Sequence, residues 1–214
     1  MNPFPVVISA PSGGGKTTVT RMLMARRGGL DYSVSCTTRV PRPEEVDGVD
    51  YHFLTDEEFL ERRSRGEFAE SALVHGRRYG TLKSEVEAVL KAGRHVMMDI
   101  DVQGAEQFAK AYPQAVLIFL LPPSVDVLVE RLLMRQTENH AAVLARLHSA
   151  RAELREVSRY HYVVVNDELE VAVERVGAII DAEEVRRERV RALDEQVAGL
   201  IGRLEQEITR FSLA

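Results

Sequence analysis

The chain has 214 residues, enough for one large domain or a core with small insertions. Hydrophobic residues make up 45% and charged residues 29%, an ordinary soluble globular mixture. A formal net charge of −5 gives no general attraction to nucleic acid or to a membrane surface, so any anion site has to be local. The opening "MNPFPVVIS" lacks a basic segment followed by a long apolar run, so it does not read as a signal peptide. Residues 6–9 within it are the first of four apolar runs that read as buried parallel strands, followed by 95–100, 115–121 and 161–165. The longest run, "AVLIFLL", is far too short to span a bilayer.

Helical patterns follow or separate these runs at 16–27, 84–92, 125–135 and from 169 onward. Strands alternating with helices predict an α/β fold with a central parallel sheet. Residues 31–83 break that rhythm; rich in Thr, Pro, Gly and aromatic side chains, they predict a small insert with short strands. Cys36 lies there and is the lone cysteine, so no internal disulfide is available and a reducing, cytoplasmic location is expected. No motif around Cys36 supplies a base for a nucleophilic role. The histidines show no ligand spacing, which argues against a transition-metal site. A polar segment at 136–140 interrupts two helical patterns and reads as a mobile lid. At the C-terminus Val190, Leu193, Val197, Leu200, Leu204 and Phe211 recur at heptad-like spacing, broken by Glu207. That stripe suits either a terminal helix packed on its own domain or a contact in a homo-oligomer.

The sharpest local signal is "APSGGGKTT". A strand over 6–9, a loop over 10–15 and a helix from Lys16 form the context that a phosphate-binding loop requires. Ala10, Pro11, Ser12, Gly13, Gly14 and Gly15 would wrap the phosphates of a nucleoside triphosphate with backbone N–H groups and close glycine approach. Lys16 would carry a full positive charge to the transferred phosphate, Thr17 would offer a hydroxyl to Mg²⁺, and Thr18 completes the stretch. Ala10 stands where the strict pattern has Gly, so its φ is expected to be negative. The other reading of this stretch is a Gly-rich turn before a helix.

Within the insert, Arg39 and Arg42 flank a stiffening Pro41. They can present guanidinium forks to one phosphate, or lie in a solvated surface loop. Tyr51 and Tyr79 can add hydroxyl donors or stack on a base. Asp99 and Asp101 stand at the C-terminal end of a predicted strand, where ligands meet open α/β sheets. Their spacing puts both on one face if the strand stays extended; otherwise they cap the next helix.

"SAPSGGGKTT", "SVSCTTRVPRPEEVDGVDYHF", "FAES…RRYGT" and "MMDIDVQGA", in that order, closely resemble guanylate kinase, and the resemblance runs on to "VVVND" at 163–167. Beyond about Ala182 the motifs are silent. The resemblance implies a P-loop NTPase-type parallel sheet flanked by helices at 1–32, 84–125 and 151–214, a GMP-binding insert at 33–83 and a helical lid at 126–150. It implies the reaction ATP + GMP → ADP + GDP with Mg²⁺. Arg39, Arg42, Tyr51 and Tyr79 then fall where the family holds the GMP phosphate, and Ser35, Glu70 and Thr81 where it reads the base. Asp99 falls near Mg²⁺, partly through water, and Asp101 near GMP. Glu70 makes chemical sense, because guanine presents two adjacent donors to the two oxygens of one carboxylate. Adenine would leave that carboxylate facing a lone pair.

The acceptor is already an oxyanion, so the chemistry is alignment and charge neutralisation by Lys16, Mg²⁺ and the lid arginines Arg131, Arg135 and Arg146. The lid departs from the family's "RLxxRG": Gln136 replaces the glycine, and His140, Ala141 and Ala142 stand near a missing acidic pair. Arg78 replaces a common Tyr in "GRRYGT". Two alternatives share parts of this pattern. A P-loop kinase of a ribosyl bisphosphate would have the loop and lid, but Glu70, "SVSCTTR" and "RYGT" favour a guanine acceptor. A catalytically inactive guanylate-kinase-like interaction module would have a damaged loop or missing lid arginines, yet Lys16, Thr17 and Arg131 are all present.

Overall fold

A computed structural model describes residues 2–74, 76–133 and 140–212, with backbone alone at 140–142. The chain begins with β1 (Pro5–Ser9), α1 (Lys16–Arg26) and β2 (Leu30–Tyr32). It then forms β3 (Cys36–Thr37), β4 (His52–Phe53), α2 (Asp56–Ser64), β5 (Phe68–Val74) and β6 (Arg77–Leu82). The remainder runs α3 (Lys83–Lys91), β7 (His95–Asp99), α4 (Val102–Ala111), β8 (Val116–Leu121), α5 (Val125–Leu133), α6 (His140–Leu154), β9 (Tyr162–Val165), α7 (Leu169–Glu184) and α8 (Leu193–Ser212).

The main sheet has the order β2-β7-β1-β8-β9, and every neighbouring pair is parallel. Helices cover both faces, which is why its inner strands are apolar apart from His95, Ser9 and Asp99 at their ends. Alternation assigns the side chains: Val6 and Ile8 of β1 join Val19 and Leu23 of α1 and Val173, Val176 and Ile180 of α7. Val7 points the other way, to Val86 of α3 and Phe108 of α4. The chain departs from β1 to one side and later returns on the other through β8. The carboxyl end of β1, beside that of β7, is therefore the switch point where open sheets bind ligands.

The second sheet has the order β4-β3-β6-β5 and is largely antiparallel. A small core of its own, Cys36, Phe59, Phe68 and Leu82, holds α2 against it. Burial pushes the Cys36 thiol up to about 12, so it is an inert packing group.

Three sequence expectations need correction. The main sheet has a fifth strand, β2, whose three residues hold a single buried apolar side chain and carry no period of their own; pairing with β7 creates it. The helical stretch from 169 is broken after Glu184 by a 3₁₀ turn at Arg187–Arg189 and by Ala192, whose φ of 53° redirects the chain into α8. α8 buries none of its residues, so it does not pack on its own domain. The exposed stripe is Val197, Leu200, Ile201, Leu204, Ile208 and Phe211; Ile208 carries it past Glu207.

Candidate active site

The loop after β1 has the backbone of an anion cradle. Gly13 and Gly15 adopt φ of 84° and 89°, and a Cβ on Gly14 would lie 2.6 Å from that of Ala10. The Gly14 N–H donates to the Pro11 carbonyl at 2.7 Å, which tightens the turn. Ala10 is not among the positive-φ residues, as its Cβ requires. α1 starts with Gly15 as its N-cap, without a side-chain cap and without an acid in its first turn. Its first N–H groups and dipole are thus open to an anion. Lys16 Nζ donates to the Ala10 carbonyl at 3.0 Å across the mouth of the loop, and Thr18 lies exposed on α1.

Distant residues brace this loop. Buried Asn166, just after β9, donates its amide N–H to the Gly14 carbonyl at 2.8 Å. Its own carbonyl accepts from Arg131 Nη2 at 3.2 Å. Arg131 Nη1 is buried without a partner among the described residues, a donor held ready near the loop. From α6, Arg146 Nε donates to Ser12 Oγ at 3.0 Å and Glu153 accepts from the Ser12 N–H at 2.8 Å. Arg135 lies outside the described residues.

At the end of β7, Asp99 accepts from the Thr17 hydroxyl at 2.6 Å and also from the Tyr32 hydroxyl. Burial and the adjoining Asp99 carboxylate raise the Tyr32 phenol well above its ordinary value, so it remains a donor. A hydroxyl and a carboxylate this close are hard oxygen donors that fit a divalent cation. Among the described residues no three His, Cys, Asp or Glu side chains gather as a metal cage. A divalent cation here would be held by few protein oxygens, with the rest of its shell left to water or a bound ligand. Asp101, by contrast, is not on an extended strand with Asp99. β7 has ended, and Asp101 caps α4, accepting from Gln103 N and Gly104 N at 2.7 and 2.9 Å.

The second sheet carries a different chemistry. Glu70 of β5 pairs in register with Thr81 of β6 and accepts from its hydroxyl at 2.7 Å. The antiparallel Cys36–Gly80 register, carried one residue further, leaves buried Ser35 opposite Thr81. Glu70 is only 4% exposed. Burial pushes its carboxyl up to about 7; the Thr81 hydrogen bond opposes the shift and the nearby Asp101 charge adds to it. Arg39 and Arg42 converge on Glu45, which takes 2.8 Å contacts from Arg39 Nη2 and from the Arg42 N–H. The Arg39 guanidinium stands 5.4 Å from the Tyr51 ring centre, and Tyr51 meets Tyr79 edge-on at 6.0 Å. Glu45 therefore occupies the Arg39 guanidinium and the Arg42 backbone N–H, while the Arg42 guanidinium stands 3.8 Å away and largely exposed. Arg78 belongs elsewhere, paired with Asp56 of α2 at 3.1 Å.

Asn166, Glu45, Tyr32 and Glu153 escaped the sequence reading because each acts on a residue distant in the chain or in an unpatterned loop. The quoted "VVVND" was the one signal that pointed to Asn166. The family model described as guanylate kinase matches residues 2–183, and thus stops before α8. A guanylate kinase of Thermotoga maritima is 49% identical over 180 residues, covering 84% of this chain and 87% of its own. One of Rhodopseudomonas palustris is 46% identical over 200 residues, covering 93% and 91%. The crystal structure of guanylate kinase from Anaplasma phagocytophilum superposes with a TM-score of 0.75 at 34% identity, covering 90% of this chain and 92% of that one.

Proposed function

The chain belongs to the guanylate kinase family, and from that membership we propose how its own residues transfer phosphate from ATP to GMP. A GMP phosphate oxygen attacks the γ-phosphorus of ATP, the bond to the ADP oxygen breaks, and ADP and GDP leave. The cradle of residues 10–18 takes the donor phosphates on the open N–H groups at the start of α1, Glu153 gives up the Ser12 N–H, and Lys16 exchanges the Ala10 carbonyl for a phosphate oxygen. Thr17 and Asp99 would hold Mg²⁺, partly through water, and the ion would neutralise charge on the donor phosphates. Arg131, Arg146 and Arg135 of the lid neutralise the charge spread over the transferred group. The GMP phosphate displaces Glu45 from Arg39 and Arg42, with the Tyr51 and Tyr79 hydroxyls beside it. Ser35, Thr81 and Asp101 frame the base.

In this division, residues 1–32, 84–125 and 151–214 form the core, 33–83 bind the acceptor and 126–150 form the lid. Closing both over the core excludes water, which would otherwise take the phosphate. A cytoplasmic site of action belongs to the same reading. So does pairing of α8 with a second copy of the chain, since its exposed apolar face is left uncovered and runs along the whole helix. Light scattering should give a multiple of the 24.0 kDa chain mass, and a monomer at micromolar concentration would remove the pairing.

The observation that carries the acceptor assignment is Glu70, a buried carboxylate held by Thr81 on one side and lying against Gly104 of α4 on another. Neither a ribosyl bisphosphate nor a peptide needs such a group. Coupled ADP release from ATP with GMP, AMP, CMP and UMP should show turnover with GMP alone; equal turnover with AMP would overturn the assignment.

The raised Glu70 carboxyl adds a pH dependence. Guanine N1–H and N2–H both donate, so they bind the ionised form, whereas the free site is largely protonated below about 7. KM for GMP should therefore fall as pH rises toward 7 and level off above it. Binding near neutrality should release a proton, readable by calorimetry in buffers of different ionisation enthalpy. Phosphate ionisation of GMP also contributes, and Glu70→Gln separates the two by keeping only that part.

A further inference from the structure

We propose that Gly104 is a positioning residue for guanine recognition: its missing side chain is what lets the Glu70 carboxylate lie where the base can reach it. The role rests on the guanylate kinase reading and adds a residue to its specificity machinery. Gly104 is buried in the first turn of α4, and its N–H donates to the capping Asp101 at 2.9 Å. A Cβ built on it would stand 2.6 Å from Glu70 Oε2 and 3.1 Å from Cδ. The backbone does not call for glycine here, because its φ is not positive and the residue sits inside a regular helix. Alanine would favour that helix. The glycine is explained by the carboxylate above it.

Neither side of the contact can yield cheaply. Glu70 Oε1 is held by the Thr81 hydroxyl at 2.7 Å on the opposite side. Gln107 of α4 ties the two backbones, accepting from Ser71 N at 3.2 Å and donating to Ser71 O at 3.0 Å. Ala105 and Phe108 anchor the same turn of α4 in the core. A methyl group at 104 must therefore push the carboxylate itself, by about 1 Å to reach ordinary van der Waals separation. Two parallel hydrogen bonds to guanine depend on that position, whereas the ATP loop and the lid do not.

Gly104→Ala should raise KM for GMP about tenfold to a hundredfold, the scale of a misplacement of that size. At saturating GMP, kcat should stay within about threefold and KM for ATP should not move, while Tm falls modestly because the new methyl overpacks the site. IMP, which lacks the guanine amino group, should lose less, so the GMP:IMP ratio of kcat/KM should fall. Glu70→Asp should weaken GMP binding in the native chain but improve it in the Gly104→Ala chain, because the shorter side chain retracts from the new methyl. Native GMP kinetics in Gly104→Ala would overturn the role. So would a lowered Tm with kcat reduced and KM unchanged, the signature of a merely structural glycine. Absence of GMP turnover by the unmodified chain would instead overturn the family reading beneath it.

Discussion

Glu70→Ala should lower kcat/KM for GMP by about 10²–10⁴, while KM for ATP remains unchanged. Each hydrogen bond from guanine to an ionised carboxylate contributes about 1.5–3 kcal/mol, and there are two; every 1.4 kcal/mol is tenfold. Water can enter the truncated site and recover part of this, which sets the lower end. The fold should not suffer at neutral pH. A carboxyl raised to about 7 by burial disfavours the native state increasingly as pH rises from the ordinary carboxylate range through 7, so its removal relieves that cost even though Thr81 loses an acceptor. Melting at pH 8 against pH 5 should show the variant relatively more stable at the higher pH. AMP should not become a good substrate, since no donor replaces the lost acceptor. A GMP kcat/KM within threefold of the native value would mean that Glu70 does not read the base.

The residues legible in the sequence are those whose role is set by their neighbours in the chain. The phosphate loop is one, because a strand, three glycines and a Lys-Thr helix start are all local, and its dihedrals follow from composition. Three of the four apolar runs are others, since burial on both faces leaves a continuous apolar run; the fourth, expected to be buried, forms the edge strand β9, where Val163 and Val165 are exposed. Interactions made across the sheet switch point left no such trace. Asn166 reaches Gly14 across most of the chain, and Tyr32 reaches Asp99 from an edge strand that is itself a product of pairing. Glu45 carries no local signal, because its contacts to the Arg39 guanidinium and the Arg42 N–H are made by the fold of an unpatterned loop. Asp101 shows why spacing misleads at an element boundary. Two aspartates two apart share a face only while the strand continues, and here β7 ends between them. Ile208 was passed over because a strict seven-residue frame lands on Glu207, whereas a free helix keeps its stripe at 3.6 residues per turn.

Lys16→Ala should lower kcat by about 10³-fold or more, with little change in the binding of GMP. A single preorganised donor aimed at developing charge is worth about 2.7–4 kcal/mol in closed sites, and a cation on a transferring phosphoryl group about 10³–10⁵ in rate. Lys16 is the cation built into the cradle, and its Nζ is parked on the Ala10 carbonyl rather than on a carboxylate. No ion pair has to break before it turns to phosphate. The loop should survive its loss: Gly13 and Gly15 set the backbone, the Gly14 N–H is held by Pro11, and the Gly14 carbonyl is held by Asn166. Arg131 and Arg146 stay in place, so residual turnover should be measurable. Lys16→Arg should not restore the rate, because a planar guanidinium is wider than an ammonium and the glycine turns leave room for a point charge only. Single-turnover phosphate transfer at saturating ATP and GMP, with GMP affinity measured separately by calorimetry, checks this. A rate within tenfold of the native chain would place the charge neutralisation on the lid arginines instead, and would make the cradle a binding device alone.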